Sequence, residues 1–344
     1  MDVNIYNFKN YFDKKFINFF KNKLKKDLSF LKNKQIKLYL NYLIKFSKEG
    51  KRIRPFIFYN VVKAHNLKNK KNIINIMIAF ELLHLFALIQ DDVMDKAKTR
   101  RDIQTINQFI FKNSNTYNNK IKKHYSNSLA ILISDIVFNI FYDIISKLNN
   151  KKIINEFYKT INEVVTGQII DLYLANNKNL NPSLVSIQNK NNLKTSYYTF
   201  IRPLIIGGIF CKIKSSEIKK LEKIGILLGD IFQAQDDLFD YYLSKNDKDR
   251  FNDLKEGQKT YITYYMLNKS SYKKTFSKFF YKKLNNEDKK IINNLILKSG
   301  TQNYIQNKIK FKYKKTKSLI YSLNNKKLAK NLNYILDLIY KRNK

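Results

Sequence analysis

Residues 80–101 read FELLHLFALIQDDVMDKAKTRR. An apolar run passes into three carboxylates, Asp91, Asp92 and Asp95, and then into Arg100 and Arg101. On a helix, positions i, i+1 and i+4 fall on or next to one face, so Asp91 and Asp95 stack one turn apart with Asp92 beside them. Three ionised carboxylates on one patch repel each other unless something positive sits among them. Hard divalent cations take oxygen ligands, and Mg²⁺ combines one or two carboxylates with substrate phosphates. The two arginines suit the same partner, because a guanidinium fork matches phosphate geometry. Taken alone, such a stretch is more often a solvated helix end.

A second stretch changes the weighing. Residues 232–240 read FQAQDDLFD and carry Asp236, Asp237 and Asp240 at the same spacing, again after an apolar helical run. Helical bundles build metal sites from carboxylates that project inward from different helices, and two such clusters are expected to form two walls of one site.

The chain of 344 residues is long enough for a sizeable core, in one large helical domain or two. Only three prolines and eight glycines interrupt it, and 44% of its residues are hydrophobic. Few helix breakers and long stretches of 3.6-residue period predict a folded all-α protein. The formal net charge is +39, which raises nucleic acid or an anionic membrane as partners. However, 59 of the 66 basic residues are lysines scattered on polar faces, in a chain crowded with Asn, Ile, Phe and Tyr, the residues of A/T-rich codons. That pattern argues for base composition as the source of the charge, and no nucleic-acid partner is expected. Four of the seven arginines instead fall in two short segments, Arg52 with Arg54 and Arg100 with Arg101, where guanidinium chemistry is expected. The single cysteine, Cys211, lies in an apolar context, supports no disulfide framework and fits a reducing, cytoplasmic compartment. The longest apolar stretch, 73–89, contains Glu81 and His84 and is short for a membrane span.

In chain order, residues 1–45 read as a basic amphipathic region whose phenylalanines recur at helical spacing. It serves either to pack on the body of the protein or to associate weakly with an anionic membrane surface, and organelle targeting stays open. Lys51, Arg52 and Arg54 put three cations in four residues just before a helix, a candidate anion site. His84 lies about two turns before Asp91, on the same side of the helix. Residues 102–124 read as loop and short helix, 128–148 and 153–174 as helices, and 193–210 as an apolar helix beginning with Lys194 and Thr195. Gly207 and Gly208 there allow a second helix to approach closely. Residues 244–260 read as a charged loop or a lid over phosphates, and 266–344 as further basic helices.

In this order the segments resemble the trans-isoprenyl diphosphate synthases, the polyprenyl synthase family. The match spans roughly residues 45–265 and rests on GKRIRP (50–55), ELLH (81–84), DDVMD (91–95), RR (100–101), GQIID (167–171), KT (194–195), FQAQDDLFD (232–240) and DLKEGQKT (253–260). The resemblance implies an all-α, single-domain helical bundle around a central cavity, over residues 46–344, acting as a homodimer. It implies condensation of isopentenyl diphosphate with an allylic diphosphate. Asp91, Asp92, Asp95 and Asp236 would hold about three Mg²⁺ ions, with Asp237 and Asp240 supporting the second wall. Arg100, Lys194 and Lys248 would hold the allylic diphosphate, and Lys51, Arg54, His84 and Arg101 isopentenyl diphosphate. Gln233 and Thr195 would sit close to the reacting carbons and leaving group. Phe86 and Ala87 occupy the positions that form part of the floor beneath the growing chain, and a large ring at 86 favours C15–C20 products.

The chain departs from the family pattern at Gln90 (often His), Asp102 and Ser134 (commonly Gly), Phe251 (a lid glycine) and Gln258 (a lysine). Among alternatives, a class I terpene cyclase shares the fold but needs neither the second DDxxD nor GKRIRP. A non-catalytic subunit of a longer-chain synthase would normally have lost carboxylates from one cluster.

Overall fold

The structure, a computed structural model, describes residues 4–341 apart from 68, 116–117, 178–180, 182 and 243–250. The described residues form sixteen α-helices, one π-helical segment and one two-stranded ribbon, as the all-α reading expects. They fall into two compact units, Met1–Tyr59 with Leu67–Ile154, and Asn60–Asn66 with Asn155–Lys344. The division expected at residue 45/46 falls inside the first unit.

The first unit is built on α4 (Lys70–Met94). Residues Ile76–Leu85 of this helix are buried without a break, acidic Glu81 and His84 included. A helix apolar on all sides belongs in a core. It packs against α6 (Asn119–Ser146), and α5 (Ile106–Asn113) packs on α6 and on α2 (Lys34–Ser47). Tyr42 of α2 stacks flat on Phe109 of α5 with ring centroids 3.7 Å apart. α1 (Ile5–Asp27) is capped by the Asn4 side chain and buries Phe8, Phe12, Phe16, Phe20 and Leu24, one residue per turn. The 102–124 region holds more structure than expected, with a hairpin of β1 (Thr99–Arg100) and β2 (Ile103–Gln104), then α5 and the start of α6. By length and composition alone, α4 and α6 are apolar enough to cross a membrane, although 67% of the α4 window is buried in the fold.

In the second unit α10 (Ser215–Tyr242) is central. Packed against it are the π-helical segment Asn192–Ile201, α9 (Arg202–Phe210), α12 (Tyr261–Asn268), α15 (Thr301–Tyr321) and α16 (Lys326–Tyr340). A Cβ on Gly207 would stand 2.8 Å from the Val61 Cβ of α3 (Ile53–Ala64), so the close helix approach expected there is real. The expected uninterrupted helix over 193–210 is corrected, since its first half winds as a π-helix. The Arg202 N–H bonds back to the Tyr197 carbonyl, five residues earlier.

Candidate active site

The first carboxylate cluster ends α4. Asp95 caps the helix and its N–H reaches the Asp91 carbonyl at 2.8 Å, placing the two one turn apart as the spacing predicts. Asp92 is only 1% exposed. The Arg100 Nε donates to Asp92 Oδ1 at 2.6 Å and its Nη2 to Asp91 Oδ2 at 3.2 Å. Burial pushes the Asp92 carboxyl up to about 6, with Arg100 opposing. Its Oδ2 is buried without a hydrogen-bond partner among the described residues, an oxygen donor of the hard type that Mg²⁺ prefers.

Arg100 is presented by the hairpin. Arg101 and Asp102 form its two-residue turn, with φ of 52° and 65°. Both central residues of such a turn must be left-handed, which is why glycine is common at the second. Asp tolerates that region better than most side chains, so Asp102 is accommodated. Arg101 donates to the Glu49 carbonyl. Arg100, Arg101 and His84 line one cleft of this unit with Phe16, Phe46, Leu85 and Leu88. Burial, then Arg54 and Arg101, hold the His84 imidazole well below its ordinary range, so it is neutral at pH 7. A neutral imidazole still donates one hydrogen bond.

Arg52 corrects the reading of a three-cation anion site. Its side chain is buried, with Nε on Asp13 and Nη1 on Glu81, both at 2.6 Å, and Nη2 on the Ser47 carbonyl at 2.7 Å. The Phe16 ring covers its guanidinium at 5.0 Å. Arg52 therefore joins α1, α2 and α4, and of the three cations only exposed Lys51 and half-buried Arg54 remain candidates for an anion. Two departures from the family pattern also meet, because Gln90 Nε2 donates to Ser134 Oγ at 2.6 Å. A hydroxyl at 134 supplies the partner that an amide at 90 needs. Phe86 packs on Phe138 (4.9 Å between centroids), which packs on Phe141 (5.6 Å), giving an aromatic tier one to two turns before Asp91.

The second cluster lies on α10. Asp237 is buried and accepts from Gln233 Nε2 at 3.0 Å and from the Tyr261 N–H at 2.8 Å. Asp240 accepts the backbone N–H groups of Asn252 (3.0 Å) and Asp253 (3.2 Å), fixing the start of α11 (Asn252–Lys255). Burial pushes its carboxyl up to about 7 despite those donors. Both carboxylates thus anchor the chain that follows, while Asp236 stands half-buried beside them. Among the described residues no three His, Cys, Asp or Glu side chains converge in ligating geometry. Mg²⁺ asks for less than that where substrate phosphates complete its shell.

Thr195 and Gln233, expected near one centre, are brought together, with Thr195 Oγ1 donating to Gln233 Oε1 at 3.2 Å. Lys194 Nζ lies 2.6 Å from Asp171 Oδ2. Both Lys194 and Thr195 sit on the π-helical segment, a geometry common at functional sites. Glycines let that segment in. A Cβ on Gly167 of α7 (Lys151–Asn176) would lie 2.3 Å from the Lys194 backbone nitrogen, and one on Gly229 would lie 2.1 Å from Ser196 Oγ. Because the Gly167 obstacle is backbone, Gly167→Ala should cost about 1–3 kcal/mol in overpacking and displace Lys194. A lowered thermal midpoint is the expected result.

Lys248 lies outside the described residues. Phe251, where a glycine was expected, has φ 63° and a fully buried ring set edge-on against Tyr241. Lys259 turns inward onto the Gly257 carbonyl at 3.0 Å, and burial lowers its ammonium to about 8. Sequence reasoning gave Asp171 no role beyond its place in GQIID, and it passed over Lys190, which faces Asp171 at 3.0 Å, and Arg202, which pairs with Glu156 and Glu163. Asp171 alone carried a signal, as an acid inside an apolar helix pattern.

A profile of the polyprenyl synthetase family matches residues 33–296. The octaprenyl diphosphate synthase of Escherichia coli is 26% identical over 220 residues, 61% of this chain and 60% of that protein. The geranylgeranyl diphosphate synthase of Methanosarcina mazei is 28% identical over 223 residues, 62% of each. The chain thus spans about 60% of the length of the curated relatives it matches. In fold it is similar to a geranylgeranyl pyrophosphate synthase of Corynebacterium glutamicum crystallised with isoprenyl diphosphate and magnesium, at a TM-score of 0.88 and 20% identity over 99% of this chain and 100% of the other. A farnesyl diphosphate synthase from T. brucei bound to a bisphosphonate superposes at a TM-score of 0.79, with 18% identity over 99% of this chain and 100% of the other.

Proposed function

The chain belongs to the polyprenyl synthetase family, and from that premise we propose that it is a prenyltransferase that joins isopentenyl diphosphate to an allylic diphosphate, giving a trans-prenyl diphosphate of C15–C20. The observation that carries the reading is the buried, orphaned Asp92 oxygen beside Asp91, both held by Arg100, in a chain that repeats the DDxxD motif on α10. Arg100 and Lys194 hold the allylic diphosphate; Lys51, Arg54, Arg101 and neutral His84 hold isopentenyl diphosphate. Asp91, Asp92 and Asp95 at the end of α4, and Asp236 on α10, would serve as Mg²⁺ ligands, for about three ions, and the metal would supply charge neutralisation for a departing diphosphate. The apolar surface around Leu85 and Leu88 keeps water from the allylic cation until the second substrate's double bond attacks. No strong protein base is needed, since released diphosphate can take the final proton.

Phe86 and its aromatic tier stop chain growth in this reading. Purified protein given isopentenyl diphosphate with C5, C10 or C15 starters, with and without Mg²⁺, should elongate only with the metal and stop at C15–C20. Phe86→Ala should lengthen the product by one or more C5 units, read by mass spectrometry. An active variant with unchanged product would reject the floor, and products beyond C20 from the unaltered chain would favour the longer-chain alternative. A homodimer is supported by apolar side chains left exposed on α6 (Ile121, Leu132, Tyr142) and on α7 (Val165, Ile169, Tyr173).

A further inference from the structure

Both ends of the segment 252–261 are held by carboxylates of the second cluster. Asp240 accepts the Asn252 and Asp253 N–H groups, and Asp237 accepts the Tyr261 N–H. The middle of the segment is held by Tyr281, which lies between α13 (Lys273–Ser277) and α14 (Asn286–Lys298). The Tyr281 N–H donates to the Leu254 carbonyl at 3.0 Å. Its ring closes on Gly257 so tightly that a Cβ there would stand 2.1 Å from Tyr281 Cε1. The buried Lys259 ammonium lies over the rings of Phe280 and Tyr281, 4.9 and 5.6 Å from their centroids. At its far end the Tyr281 hydroxyl donates to the Ala175 carbonyl in the last turn of α7, at 2.5 Å. Tyr281 makes these contacts with φ of 60°, in the left-handed region that a bulky side chain rarely occupies, and with half of its surface exposed. Filling a core does not call for a strained residue that stays half in water. Such strain persists where the surroundings over-determine it, and it clusters at functional sites.

We infer that Tyr281 is a positioning residue for the second carboxylate cluster. It clamps the segment 252–261 to the end of α7, and the clamped segment in turn fixes the Asp237 and Asp240 carboxylates, which bracket Asp236 along α10. Without the clamp, the N–H donors at 252, 253 and 261 drift from their acceptors and the carboxylates turn more freely. A metal–diphosphate complex forming on α10 must then order them first, at a cost in affinity. The bearing on Mg²⁺ rests on the prenyltransferase reading.

The test compares the full chain with Tyr281→Ala and Tyr281→Phe by two measurements that need no turnover. Amide hydrogen exchange without metal should be about tenfold faster over 252–261 in Tyr281→Ala, with α15 unchanged. Tyr281→Phe, which keeps the ring and loses only the hydroxyl, should show a smaller acceleration. Calorimetric titration of Mg²⁺ in the presence of inorganic diphosphate should show about tenfold weaker metal binding in Tyr281→Ala. Unchanged exchange over 252–261 in Tyr281→Ala overturns the clamp, and faster exchange with unchanged Mg²⁺ affinity overturns the positioning role; either leaves the prenyltransferase reading standing. Acceleration spread equally over α10, α15 and α16, or loss of helical circular dichroism in both variants, overturns the inference in favour of a purely structural residue. An unaltered chain that binds no Mg²⁺ with inorganic diphosphate overturns the prenyltransferase reading and, with it, this one.

Discussion

Asp236→Asn is expected to lower kcat for the proposed prenyl transfer by about 10²–10³-fold while the helical fold is kept, an effect of the size seen when one stabilising group is removed from a developing charge. The carboxylates of the second cluster divide the labour. Asp237 and Asp240 have their oxygens on Gln233 and on the backbone of Asn252, Asp253 and Tyr261, so replacing either disturbs the connection from α10 to α12. Asp236 is half-buried and can present a carboxylate to a metal–diphosphate complex. An amide of the same shape keeps the packing and removes the charge. The measurement is steady-state kinetics across a Mg²⁺ titration, with Asp240→Asn as the contrasting variant that loses stability as well as rate. An Asp236→Asn chain with near-normal kcat would remove this carboxylate from the machinery.

Arg52→Met should cost about 3–5 kcal/mol of stability, the range for removing one partner of a buried ion pair. Glu81, 4% exposed, would lose its 2.6 Å partner, whereas Asp13 has enough access to solvent to recover hydration. The Ser47 and Lys48 carbonyls would lose their donor as well. The same physics gives the control. Replacing the whole pair with apolar side chains is often close to neutral, so Arg52→Met with Glu81→Leu should regain most of the loss. Denaturant midpoints at unchanged slope provide the comparison. A single variant within about 1 kcal/mol of the unaltered chain would show that Glu81 finds another partner.

Both predictions concern residues that the sequence presents unequally. DDxxD spacing on apolar helical runs is a local property, since helical period alone puts Asp91 over Asp95, and the structure has them so. Thr195 and Gln233, which the resemblance assigns to one centre, are joined by a hydrogen bond. Arg52 was misjudged because its partners, Asp13 and Glu81, lie 39 and 29 positions away, and nothing in GKRIRP marks which cation turns inward. The same distance hid the Gln90–Ser134 contact, so two departures that looked independent are one substitution shared across 44 residues. Left-handed backbone at Asp102 and Phe251 accounts for the glycines expected there, and for Phe251 a fully buried ring offsets the strain. The π-helical winding of 192–201 escapes a period argument, because ten residues do not separate a 3.6-residue repeat from a wider one.

That segment has a consequence for how this chain can change in length. Each residue of an α-helix turns the chain by about 100°, and a π-turn absorbs one additional residue without opening a loop. α7 holds the segment near both ends, through Asp171 on Lys194 and through Glu156 and Glu163 on Arg202. Deleting one residue between these anchors would let the stretch relax to α-helix with the two basic side chains kept close to their present phase, so that both could still meet α7. A one-residue deletion in this interval is therefore milder than the same deletion elsewhere in the helix, where nothing takes up the lost 100°.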